Sequence, residues 1–135
     1  MRRLAPIVLL LVAACSSNEA PLVATDVLIK APPPGMTVSA GYLSLRNNTA
    51  EPIRITRISS PQFGSVGMHE TVLKDGVSRM IALDEVTVPA GQSVRFEPGA
   101  RHLMLMRPAG ELATASLEFY SGPDLLLAID AVVTR

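Results

Sequence analysis

The chain carries two histidines and six methionines. Apart from Met1, the methionines are Met36, Met68, Met80, Met104 and Met106, and four of these five stand beside a histidine or one hairpin away from one. His102-Leu103-Met104-Leu105-Met106 is a strand-like run. Side chains at i and i+2 share a face of a strand, so His102 and Met104 project together while Leu103 and Leu105 face the other way. Lys74-Asp75-Gly76-Val77 is a hairpin signal, because Asp-Gly suits a type I′ turn. With 75 and 76 as the loop, 74 pairs with 77, 71 with 80 and 69 with 82. His69 and Met80 then become diagonal neighbours on one face, about 7–8 Å apart and within reach of long side chains. Two imidazoles and two thioethers would thus converge from two β-ribbons.

Those ligands select a metal. Thioether sulfur is soft and uncharged, so it favours Cu(I) over zinc, calcium or magnesium. In an oxidising compartment methionine also escapes the disulfide formation that threatens a cysteine-based carrier. A blue-copper electron-transfer site needs a thiolate. Cys15 is the only cysteine and lies near the N-terminus, outside any globular body. The single thiol also excludes an intrachain disulfide, a CxxC pair and a Cys-rich zinc site. The competing reading is packing: methionine in a β-core is most often filler, and a histidine on an apolar strand is most often a core or surface residue. Met68 and Met106 fit packing better than ligation, with an outer-shell or relay role as the alternative. A hydrolase is a poor fit. No serine sits in a nucleophile-elbow pattern, and Glu70, next to His69, would point to the opposite face.

The elements that must position these residues read as short strands. Apolar residues recur with period two in Tyr42–Leu45, in Ile53–Ile58 and in Ala113–Phe119, and Leu125–Val133 is nearly continuous. Between them fall turn signals at Pro32-Pro33-Pro34-Gly35, Asn47-Asn48, Asp75-Gly76, Pro89-Ala90-Gly91, Pro98-Gly99 and Gly122-Pro123. Frequent turns between short strands predict an all-β sandwich or barrel. The 135 residues suit one domain, and 48% hydrophobic composition supplies a core. Twelve basic and 12 acidic side chains give zero net charge, which excludes a polybasic nucleic-acid binder.

The N-terminus reads as an address. Met1-Arg2-Arg3 and the apolar run Leu4–Ala14 form a secretion signal too short to span a membrane. The run ends Val12-Ala13-Ala14-Cys15, which resembles a bacterial lipobox. The resemblance implies cleavage before Cys15, acylation of that residue and attachment to a membrane surface. Ser16 rather than Asp after the cysteine points to the outer membrane if the source is Gram-negative. Loss of residues 1–14 leaves ten of the 12 basic side chains against 12 acidic ones, a net charge of −2. The expected organisation is a signal peptide at 1–14, a lipidated tether at 15–25 and a copper-binding domain at 26–135.

The spacing His69, ten residues, Met80, 21 residues, His102, one residue, Met104 resembles the H-x10-M-x21-H-x-M signature of the periplasmic PCu(A)C copper chaperones. Further blocks resemble the family: Gly41-Tyr42-Leu43-Ser44-Leu45, Met68-His69-Glu70, Val88-Pro89-Ala90-Gly91 and Pro98 to Leu105. The resemblance implies a cupredoxin-like β-sandwich, a Greek-key barrel of short antiparallel strands, binding one Cu(I) per chain as a monomer. It also implies delivery to respiratory oxidase assembly at the CuA centre. The partner would be a copper-accepting oxidase subunit or a thiol-bearing assembly protein. Some members carry a His/Met-rich C-terminal extension; this sequence ends Ala131-Val132-Val133-Thr134-Arg135, so a single site is expected. Three functions stay open on the residues: a copper carrier without turnover, a copper-sequestering lipoprotein, and a structural envelope lipoprotein whose His and Met pack.

Overall fold

A computed structural model describes residues 18–135. The signal peptide, Cys15 and Ser16 lie outside the described residues. Eleven strands follow in order: β1 (Leu22–Lys30), β2 (Val38–Asn47), β3 (Ile53–Ile55), β4 (Arg57–Ser59), β5 (Phe63–Lys74), β6 (Val77–Leu83), β7 (Val86–Val88), β8 (Ser93–Phe96), β9 (Arg101–Pro108), β10 (Thr114–Ser121) and β11 (Asp124–Thr134). No α-helix occurs among the described residues. The chain is all-β, as the period-two pattern predicts.

Eight strands form one continuous ladder, β4-β10-β11-β1-β2-β9-β5-β6, and β8 pairs with β2. β3 and β7 form a separate two-stranded ribbon. The run Ile53–Ile58 is therefore two strands rather than one. The chain passes from one sheet to the other at Thr56, whose N–H donates to the Tyr120 carbonyl at 2.9 Å. Two details differ from the sequence reading. β1 begins at Leu22, inside the stretch expected to be tether. Leu22 pairs with Asn47 and is only 2% exposed, so the core, not chain polarity, sets that boundary. The barrel is also not wholly antiparallel. β1 pairs parallel with β11, because the first and last strands meet without a hairpin between them.

Alternation sorts the side chains. Leu43 and Leu45 of β2, Leu103 and Leu105 of β9, Met68 of β5, and Leu117 and Phe119 of β10 all point inward and are buried, joined by Ile55 and Val88 from the ribbon. Burying a leucine or phenylalanine side chain contributes roughly 1.5–3 kcal/mol, so this inward set holds the wall that carries β5 and β9. Asn47 is fully buried but fully partnered. Its amide donates to the carbonyls of Glu51 (2.7 Å) and Val88 (3.0 Å), and its side-chain oxygen accepts from the N–H and Oγ1 of Thr49.

The edge ribbon closes as its turn chemistry dictates. Asp75 and Gly76 both have positive φ, 52° and 75°, as a type I′ turn requires. β5 also outruns its other neighbour: its pairing with β9 ends at Glu70–Arg101, so the ribbon from Thr71 onward is flanked by neither β9 nor any further strand.

Leu105→Ala tests the claim that the inward face alone carries the wall. Leu105 is fully buried, and truncation should cost about 3 kcal/mol in urea unfolding. The outward neighbours Met104 and Met106 should keep their native NMR shifts in the variant's folded state.

Candidate metal centre

Register assembles the centre. β5 and β9 pair antiparallel with His69 directly opposite His102, and Gly67 opposite Met104. β5 and β6 pair with Thr71 opposite Met80 and His69 opposite Ala82, the register expected from the Asp-Gly turn. His69 and Thr71 share a face, so Met80 lies diagonal to His69 on that face. His69, Met80, His102 and Met104 therefore all project from the outer face of one three-stranded surface. Met68 does not join them: it faces inward and is 5% exposed. Met106 stands on the outer face one step beyond Met104, opposite Ser65 and Val38, and is half-buried.

The two imidazoles stack, with centroids 6.0 Å apart and planes inclined by 21°. Their nitrogens are in different states. His102 is 8% exposed, and its Nδ1 lies 3.0 Å from the carbonyl oxygen of Ala100. Nδ1–H donates there, so in the neutral ring the lone pair that could ligate lies on Nε2. The same Ala100 carbonyl accepts from the Thr71 N–H at 3.1 Å, so one oxygen orients His102 and ties the Pro98-Gly99 loop to β5. His69 Nδ1 is buried with no hydrogen-bond partner among the described residues. An imidazole nitrogen in that condition is costly unless something takes its lone pair or its proton.

The donor set suits a soft, singly charged ion. No group of three or more His, Cys, Asp or Glu among the described residues could hold a metal. A hard cation would lack its oxygen ligands, so sulfur must complete any site built on these histidines. The nearest carboxylate in sequence, Glu70, faces away from His69 and stands opposite Arg101 at 4.0 Å. Exposure is graded: Met80 is 64% exposed, Met104 is half-buried and His102 is buried. One thioether thus stands in solvent at the rim while the imidazoles lie beneath.

The sequence reading missed Gly67. A Cβ there would sit 2.7 Å from His69 Cε1 and 3.2 Å from its Nδ1. The His69 ring thus lies back along its own strand, over Gly67, which is the position opposite Met104. A glycine two residues before a candidate ligand on the same strand face is the signal that could have found it. The Ala100 carbonyl left no signal, since any residue supplies one. Glycine inside a strand costs about 0.5–1 kcal/mol relative to alanine, so Gly67 exchanges stability for ring placement. Gly67→Ala should therefore leave the Tm unchanged or slightly higher. It should also unstack the rings, seen as loss of mutual ring-current shifts on the His69 and His102 ring protons. Unchanged shifts would refute the positioning role.

Comparison with known proteins shows the family and the fold. The family model for LpqE-like lipoproteins matches residues 22–120. Over 107 residues the chain is 30% identical to a protein of Leifsonia xyli subsp. xyli named as a lipoprotein, Lxx21020, covering 75% of this chain and 63% of that one. Over 75 residues it is 35% identical to the uncharacterized protein RP573 of Rickettsia prowazekii, covering 55% of this chain and 41% of that one. The chain thus spans roughly four- to six-tenths of these relatives' lengths. Among solved structures, the copper-bound PCuAC domain from PmoF2 superposes with a TM-score of 0.70 at 21% identity, covering 86% of this chain and 94% of that one. The Cu(I) form of DR1885 from Deinococcus radiodurans gives 0.64 at 23% identity, covering 92% and 83%. The fold is therefore the cupredoxin-like fold of PCuAC domains, and the chain belongs to the LpqE-like lipoprotein family.

Proposed function

We propose that this protein is an extracytoplasmic copper chaperone that holds one Cu(I) with His69, Met80, His102 and Met104. The observation that carries the reading is the direct cross-strand pairing of His69 with His102, with both thioethers on the same outward face. The structural neighbours lend support, since their titles describe a copper-bound PCuAC domain and a Cu(I)-loaded protein. The protein performs no turnover. Binding requires only that the lone pairs converge; release requires that a partner reach the ion, and Met80 at the rim is the ligand most open to exchange.

The cargo's destination follows from the family resemblance: a respiratory oxidase assembly pathway, with a copper-accepting oxidase subunit or a thiol-bearing assembly protein as acceptor. Acylation of Cys15 would anchor the domain to a membrane on its periplasmic side, the outer membrane if the source is Gram-negative. A copper-sequestering lipoprotein is the second reading. It uses the same ligands, and the exposed Met80 favours the carrier, because a storage site gains from burying all its ligands.

The test is a Cu(I) titration of the processed chain without acyl groups (Cys15→Ser), against a chromophoric Cu(I) chelator under reducing conditions. One equivalent should bind. Met80→Leu and Met104→Leu are swaps of similar volume that should spare the fold. Each should weaken Cu(I) affinity by about tenfold or more, ~1.4 kcal/mol or above. Unchanged affinity in both variants would remove the four-ligand site. Cu(I) at about 100 times its Kd should raise unfolding stability by ~2.7 kcal/mol, read as a higher Tm. Transfer from the loaded domain to an apo CuA fragment then separates delivery from storage.

A further inference from the structure

The outward face of β9 carries a donor that the four-ligand centre does not use. Alternation along that strand turns His102, Met104 and Met106 to one side and buries Leu103 and Leu105 on the other. Pairing is regular from Leu103 to Met106 against both β2 and β5, so Met104 and Met106 are successive side chains of one face. Met68, by contrast, is turned into the core and is 5% exposed. The two methionines that flank the proposed ligands in sequence therefore part company: Met68 packs, and Met106 stands beside a ligand.

Packing gives Met106 little to rest on. Its cross-strand neighbours on this face are Ser65 and Val38, and those of Met104 are Gly67 and Ala40. Ser65, Gly67 and Ala40 are too small to cover a long side chain, and Met106 stays half-buried. Cα atoms two residues apart on a strand are about 6.4–6.8 Å apart, and methionine side chains are unbranched and flexible. Two sulfurs about 4.6 Å apart hold an ion between them at metal–sulfur bonds of about 2.3 Å. Thioethers on successive positions of one face reach that separation by leaning together. The His69 ring, folded back over Gly67, lies toward the Met104 level of the sheet, beside this pair.

We propose that Met104 and Met106 form a second position for a soft monovalent ion, a paired-thioether station through which the cargo loads before it reaches the histidines. The inference rests on the copper reading of the centre. Thioether sulfur carries no proton and prefers a soft cation, whereas a histidine ligates only through an unprotonated nitrogen. The two thioethers therefore accept an arriving ion in any protonation state of the rings. Met104 belongs to both positions, so they exclude one another and the chain still holds one ion. The ion passes on by exchanging Met106 for His69, His102 and Met80 while Met104 stays bound, and its charge does not change.

The experiment titrates Ag(I), also soft and monovalent, into the processed Cys15→Ser chain with isotope-labelled methionine methyls. In a His69→Ala/His102→Ala variant, Ag(I) should shift the Met104 and Met106 methyl signals with one shared midpoint and leave Met68 unmoved. Adding Met106→Leu should weaken that binding by about tenfold. In the chain with both histidines, Met106→Leu is a swap of similar volume. It should leave the Ag(I) dissociation constant unchanged and slow arrival and departure by one factor, about tenfold. A ligand of the resting centre would change the constant, and a packing residue would change neither rate. Three results would overturn the proposal: a Met106 methyl that stays put while Met104 moves, a changed constant in Met106→Leu, or unchanged rates. If the histidine-free variant does not fold, the rates decide alone. Failure of the four-ligand centre reads out separately, as an Ag(I) affinity that does not fall when the histidines are removed.

Discussion

The antiparallel register of β5 on β9 is the constraint on which the centre depends. It sets His69 opposite His102 and Gly67 opposite Met104. A slip of one residue would turn every side chain of one strand to the other face, sending His69 into the core and Met68 into solvent. The register is protected by what lies behind it. Leu103 and Leu105 are fully buried and Met68 nearly so, and a slip would expose either the two leucines of β9 or the methionine of β5. The outward side chains thus need no stabilising contacts of their own. The core on the inner face specifies the arrangement of donors on the outer one.

Two backbone features refine what the register provides. The Ala100 carbonyl accepts from both His102 Nδ1 and the Thr71 amide, so the loop before β9 is fixed to β5 at the level of the site. Gly67 leaves the space into which the His69 ring folds. Together they place one imidazole by a hydrogen bond and the other by the absence of a side chain. The first suits a ligand that should not move. The second leaves His69 Nδ1 buried and unpartnered among the described residues, ready for a soft ion in the copper reading.

The ribbon beyond Glu70 has a different character. Flanked by no third strand among the described residues, it exposes Leu73, Val77 and Met80. Met80 therefore reaches the centre from the least supported part of the sheet, while His102 and Met104 stand on the most supported part. In the proposed copper carrier, this division would put three of the four candidate donors on the supported wall and leave the fourth where a partner could displace it.

Much of this was legible in the residues. The Asp-Gly turn fixed the β5–β6 register, and alternation placed His102 with Met104 and set Leu103 and Leu105 apart from them, because both are local consequences of backbone geometry. The start of β1 at Leu22 and the split of Ile53–Ile58 between two sheets were not legible, since each depends on partners distant in sequence, Asn47 for the first and Val88 and Tyr120 for the second. The same holds for the site. Local pattern put the four candidate donors on shared strand faces, but it could not say that β9 would pair with β5 in the register that stacks the histidines. It could not mark Gly67 as the space under a ring. Those relations join residues that are far apart in the chain, and only closure of the barrel around its core brings them together.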